Sequence, residues 1–190
     1  MAEVIVIGAG PAGASAALFL AKAGKETLVL DSNTSMTKRA WIENHYGAKG
    51  ISGPELLQIG REQAEKFGAK FIEEKVTAID TNGGSKVTVK TDSGRSFEAS
   101  HIILATGVLT DLASSIGLEL KDGTEPRIKT VIQTDGAGRT SKPRIWAAGT
   151  AAGVSVHTII TAGDGAKVAI ELISELNGER YVDHDILKSE

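Results

Sequence analysis

Apolar positions along the chain fall into two rhythms. Val4-Ile5-Val6-Ile7 and Thr27-Leu28-Val29-Leu30 are unbroken apolar runs, and residues 101–105 form a third. Runs of this length predict strands buried on both faces, as in a parallel sheet. Between the first two, residues 14–23 are rich in Ala and Leu and stop at Gly24, which predicts a helix. The three pieces make a βαβ unit with a right-handed crossover. Gly53-Pro54 opens a second helix running to about Phe67, and residues 69–72 read as the next strand. Short strands are expected at 76–79, 86–91 and 96–98. They are separated by Asn82-Gly83-Gly84 and Asp92-Ser93-Gly94, both hairpin turn signals. A last strand is expected at 144–148 and a last helix at 158–176, with Gly163 and Gly165 in its first turns. Residues 32–52 are irregular and polar, and a loop this long in a compact domain usually has a function. The pattern is weakest over 109–143, where a strand is expected at 128–133. With no internal repeat and no linker between two cores, residues 1–190 read as a single domain.

Composition removes whole classes of function. The net charge is −3 and the charges are mixed, so the basic stripe of a nucleic-acid binder is missing. The chain has no cysteine, which excludes disulfide scaffolds, thiolate metal sites and thiol nucleophiles. His45, His101, His157 and His184 show no metal-ligand spacing. Residues 4–21 carry no charge, but Gly8, Gly10, Pro11 and Gly13 interrupt them, so a strand and helix fit better than a membrane span. The first charge is Glu3, where a secretory signal would start basic. A soluble cytoplasmic protein with no membrane or nucleic-acid partner is expected.

The chemistry is concentrated at Gly8-Ala9-Gly10-Pro11-Ala12-Gly13. This GxGxxG follows a strand and opens a helix, and Asp31 closes the next strand 21 positions after Gly10. Gly8 permits a tight turn, Gly10 lets a pyrophosphate approach the backbone, and Gly13 lets helix and strand lie close. The helix start directs N–H groups and a positive dipole end at the phosphates. Asp31 can accept bonds from both ribose hydroxyls and would repel a 2′-phosphate, which favours FAD or NAD over NADP. The same turn also occurs in α/β folds that bind nothing, and the motif by itself leaves FAD and NAD close. Gly136-Ala137-Gly138 lacks a third glycine and a following helix, and Gly163-Asp164-Gly165-Ala166-Lys167 has the wrong spacing for a phosphate loop.

Seven further segments carry a resemblance. They are Ile42-Glu43-Asn44-His45-Tyr46-Gly47, Gly53-Pro54-Glu55-Leu56-Leu57, Gln63-Ala64-Glu65-Lys66-Phe67-Gly68-Ala69, Ile103-Leu104-Ala105-Thr106-Gly107, Gly117-Leu118-Glu119-Leu120, Ile145-Trp146-Ala147-Ala148-Gly149 and Ala162-Gly163-Asp164-Gly165. With the glycine turn they resemble, in order from residue 3 to about 178, the low-molecular-weight thioredoxin reductases among the pyridine nucleotide–disulfide oxidoreductases. The resemblance implies an α/β fold of three layers: a parallel sheet, a helical layer and a small antiparallel crossover sheet. It also implies FAD as cofactor, gripped by Gly8, Gly10, Pro11, Ala12, Gly13 and Asp31. Asn44 would lie near the flavin ring, and Val76 would offer backbone groups to the adenine. Thr106 and Gly107 would line the groove, and Gly149 would sit by the ribityl chain.

Three departures shape the expected function. Only about ten residues, near 109–116, stand where the family carries its nucleotide domain. The cysteine pair is absent, so thiol–disulfide exchange by this chain is excluded. Thr150 replaces the family's ribityl-binding aspartate. Val156-His157-Thr158 takes the place of a glutamine near the flavin pyrimidine. There His157 is the candidate catalytic group, tuning the flavin or exchanging a proton with it. The bland alternative is a polar helix-start residue facing solvent. Trp41, His45 and Tyr46 could shield the flavin, and Lys38 and Arg39 could dock a donor protein. The leading expectation is an FAD-dependent oxidoreductase reduced by free NAD(P)H or by a separate redox protein, with a homodimer compatible. A flavin-binding module without turnover is the alternative. An NAD dehydrogenase is disfavoured because it has no use for the Thr106-Gly107 and 149–165 segments.

Overall fold

A computed structural model describes residues 2–81, 84–183 and 185–187. Asn82 and Gly83 of the first expected hairpin turn, and His184, lie outside the described residues.

The β-branched start forms β1 (Ala2–Ile7), followed by α1 (Pro11–Lys22) and β2 (Thr27–Asp31). The helix begins at Pro11, three residues earlier than the apolar pattern alone suggests. Proline fits the first helical position because its missing N–H has no partner there anyway. Within the polar loop, β3 (Trp41–Ile42) and β4 (Ile51–Ser52) form a small antiparallel pair after a 3-10 turn at Met36–Arg39. Next come α2 (Gly53–Lys66), β5 (Lys70–Glu73), β6 (Val76–Asp80), β7 (Val87–Thr91) and β8 (Ser96–Leu104). The weakly patterned stretch holds α3 (Asp111–Ser115), β9 (Leu120–Asp122) and β10 (Thr130–Ile132), and then β11 (Ile145–Ala147) and α4 (Thr158–Asn177) close the fold.

The main sheet runs β5-β2-β1-β8, with β11 on the far side of β8, and these neighbours pair in parallel. β6, β7 and the first half of β8 form an antiparallel meander. Two separate strands at 96–98 and 101–105 are therefore one. Its first residues pair with β7 and its last with β1 and β11, so its side-chain pattern changes halfway along. The period-2 alternation sorts the core. Val4, Val6, Ile103 and Trp146 face α1 and α4, while Ile5, Ile7, Ile102, Leu104 and Ile145 face the meander side. The expected three layers are present. Among the described residues, no helix is long and apolar enough to cross a membrane.

Candidate functional site

The carboxyl ends of β1, β2, β8 and β11 converge on one edge of the sheet, where α/β proteins place their ligands. At its centre is the glycine turn. Gly8 has φ +101, open to glycine, and its N–H donates to the Leu30 carbonyl at 2.8 Å. A Cβ on Gly8 would lie 2.4 Å from the Ala105 carbonyl oxygen, and one on Gly13 would lie 1.8 Å from that of Gly8. No side chain fits at either place, so backbone lies bare to anything docking on the turn. The first helical bond of α1 is Ala14 N–H to the Gly10 carbonyl, at 2.9 Å. The N–H groups of Ala12 and Gly13 therefore point out of the helix end. No capping side chain and no first-turn acid compete for them.

Asp31 ends β2 beside the turn. Its Oδ1 accepts the Ala9 N–H at 3.2 Å, which fixes the carboxylate and leaves Oδ2 for a hydroxyl. β5 ends at Glu73, opposite Asp31, and Val76 follows three residues later, so Val76 lies toward the same edge. Val76 is buried. Bare backbone, an uncapped helix start and one fixed carboxylate match the pyrophosphate and ribose of a dinucleotide, so the residues fit FAD.

Thr106 follows β8, its Cα 3.7 Å from where a Gly8 Cβ would stand. Its hydroxyl donates to the Leu109 carbonyl at 2.6 Å, closing a turn in which Gly107 has φ 64. On the other side, Gly149 has φ 72, and a Cβ there would lie 2.6 Å from Ala12 Cβ. The Gly149 N–H donates to Asp164 Oδ2 at 2.8 Å, and Asp164 Oδ1 pairs with Lys167 Nζ at 2.8 Å. Asp164 is buried, and the next residue, Gly165, lets α4 touch the Ala12 carbonyl: a Cβ there would be 2.0 Å away. The role of Asp164 in holding the Gly149 turn was missed from sequence. Its one available signal was an acid between two glycines at the start of an apolar helix. Thr150 is buried, and among the described residues its hydroxyl has no hydrogen-bond partner.

His157 occupies the N-cap of α4 without capping it, and its Nδ1 bonds Ser155 Oγ at 2.7 Å. Thr158 Oγ1 bonds His45 Nδ1 at 3.0 Å, which ties the loop carrying Asn44 to the start of α4. Asn44 and His157 are exposed. The structure thus gathers Gly8, Gly10, Pro11, Ala12, Gly13, Asp31, Thr106, Gly107, Gly149 and Thr150 along one edge. Thr158 and His157 stand at the α4 end. Two hollows of the surface lie elsewhere, one beside Lys22 and Phe67 and one beside His101 and Trp146. Neither of them is on the edge that carries the glycine turn.

This fold and edge define a dinucleotide-binding α/β protein of the three-layer type. The profile described as pyridine nucleotide-disulphide oxidoreductase matches residues 2–109 and 48–171, and the chain belongs to that family. The family is flavin-dependent and thioredoxin-reductase-like, and its cofactor is FAD, which decides between the two dinucleotides the motif left open. A thioredoxin reductase of Aquifex aeolicus is 48% identical over 113 residues, 56% of this chain and 34% of that protein. A ferredoxin–NADP reductase of Ignicoccus hospitalis is 30% identical over 175 residues, 90% of this chain and 56% of that one. The chain thus spans about a third of the first and just over half of the second. A thioredoxin reductase structure from Gloeobacter violaceus superposes with a TM-score of 0.84 at 18% identity, covering 98% of this chain and 99% of that one. The atypical thioredoxin reductase TRi from Desulfovibrio vulgaris Hildenborough gives 0.76 at 22% identity, covering 94% and 99%. At these identities the likeness speaks for the fold.

Proposed function

We propose that this chain is a compact FAD-dependent oxidoreductase that takes electrons from a separate donor and does not reduce disulfides with cysteines of its own. The observation that carries the reading is the bare glycine cradle with Asp31 beside it, in a family that binds FAD and in a chain with no cysteine. The short α3 connection would stand where the family has its nucleotide domain. Residues 1–190 would then be one flavin domain with no nicotinamide domain inserted.

FAD supplies the electron chemistry, and the chain binds and orients it. Ala12 and Gly13 N–H groups would hold the pyrophosphate, with Gly8, Gly10 and Pro11 shaping the approach. Asp31 Oδ2 would accept a ribose hydroxyl, and Val76 would meet the adenine. Thr106, Gly107, Gly149 and Thr150 would line the trough, with Asn44 and Thr158 near the ring. His157 is held at Nδ1 by Ser155, which leaves Nε2 to exchange a proton. The donor would be free NAD(P)H or a redox protein. The setting proposed is cytoplasmic, and the assembly a homodimer covering the exposed Trp41 and Tyr46.

The deciding experiment is an absorption spectrum of purified protein, identification of the released chromophore, and reduction kinetics with NADH and NADPH. Yellow protein reduced faster than free FAD supports the enzyme. A stably yellow protein without turnover supports the second reading, a flavin-binding module. Protein that stays colourless in excess FAD overturns both.

A further inference from the structure

A hollow of about 580 Å³ opens at the edge of the sheet opposite the glycine turn, where β11 begins. His101 of β8, residues 139–140 and 142–146, and the end of α4 line it. His101 is only 9% exposed, and its Nδ1 is sealed from solvent without a hydrogen-bond partner. Among the described residues neither ring nitrogen is bonded, so Nε2 is the one that keeps access to the hollow. A buried N–H without an acceptor is rarer than a bare lone pair, so the proton belongs on Nε2, as a donor facing outward.

Two cations, Lys142 and Arg144, line the same hollow, and of the two Arg144 acts on His101, as does the Glu175 carboxylate. Lys142 has no ion pair among the described residues. Arg144 spends one nitrogen on the Ser85 carbonyl at 2.7 Å, which leaves its other N–H groups, and its charge is felt at His101. It also holds φ 69, a left-handed backbone that glycine would adopt without strain. Arg139, by contrast, is neutralised by Glu175 and Asp135 and lies over the Trp146 ring at 4.8 Å. The hollow therefore holds two cations with donors to spare and one carboxylate, Glu175, already paired with Arg139. Pro143, Ile145 and Leu176 give it apolar wall.

We propose that this hollow binds a small phosphate-bearing molecule, its phosphoryl oxygens held by His101 Nε2–H, Lys142 and Arg144. Charge-assisted bonds from lysine and arginine donors favour an oxyanion. The volume exceeds what a lone phosphate fills and lies in the range of small-molecule sites, so the ligand carries a body that rests on the apolar wall. The site is across the sheet from the flavin trough and is independent of it.

The test titrates inorganic phosphate, and separately AMP, into the protein at constant ionic strength while the His101 imidazole signals are followed by NMR. Saturable shifts are expected. Lys142→Ala and Arg144→Gly should each weaken binding about fivefold or more. Arg144→Gly loses the bond to Ser85 but is free of backbone strain, so its melting temperature should stay within a few degrees of the parent's, which separates lost binding from lost folding. Tighter binding of AMP marks a phosphate ester as ligand, and equal affinity marks phosphate itself. Unmoved His101 signals at about 10 mM phosphate, some tenfold above the ~1 mM of weak binding, or variants that bind as well as the parent, overturn the proposal.

Discussion

Gly13 lies inside α1, where alanine would be the better helix former by about 1 kcal/mol. Its added Cβ would sit 1.8 Å from the Gly8 carbonyl oxygen, so packing outweighs propensity. Gly13→Ala should cost about 3 kcal/mol in urea unfolding and abolish FAD binding. Gly107→Ala meets nothing within 4 Å and bears only its left-handed backbone, so it should cost about 1–2 kcal/mol. Equal losses from the two would refute the close-approach account. Asp164 gives a second contrast. Asp164→Ala strands the buried Gly149 N–H and should cost about 1–3 kcal/mol, with FAD affinity falling about tenfold as the turn loosens. Asp164→Asn keeps an acceptor and should fall between the two. Fluorescence titration with FAD measures both, and unchanged affinity in Asp164→Ala would remove its positioning role.

At the scale of elements, β8 stands out because it serves both the parallel sheet and the meander. That central place buries His101, and burial first, then the nearby Arg144, holds its pKa below the ordinary value near 6.5. The folded state therefore prefers the neutral ring. The unfolded chain takes up its proton at the ordinary value, so stability is full above about pH 6.5. It falls as the pH drops from there through the depressed folded value. Urea midpoints between about pH 8 and pH 5 should decline more steeply for the wild type than for His101→Gln. Parallel curves would show that His101 is not the group responsible. The start of α2 is a smaller, cleaner case. Ser52 accepts the Glu55 N–H at 3.3 Å ahead of Pro54, and Ser52→Ala should cost about 1 kcal/mol without touching FAD affinity.

For the whole molecule, two apolar clusters share the strands of one sheet, and α1 and α4 lie against each other over it. Neither cluster can be lost without the other, so a single cooperative unfolding transition is expected. FAD binds only the folded chain. At about 100 times its dissociation constant it adds ~2.7 kcal/mol, a rise of roughly 5–10 °C in Tm for a chain of this size. Differential scanning calorimetry with FAD, and with NAD at the same concentration, reads this directly. An equal shift from NAD would contradict the flavin assignment.

The sequence by itself determined the local pieces. β-branched runs have one stable use in a parallel sheet, a GxGxxG between strand and helix has few geometries, and zero cysteines removes a chemistry outright. These are near-neighbour constraints, legible without knowing what lies across the molecule. Only the tertiary structure decided that β8 is one strand, because its two halves are defined by different partners. Only tertiary structure set Asp164 against Gly149, 15 residues away, and left His101 buried with its Nδ1 sealed and unmatched. Such facts depend on which side chains the sheet brings to one edge, and spacing along the chain does not encode that distance in space.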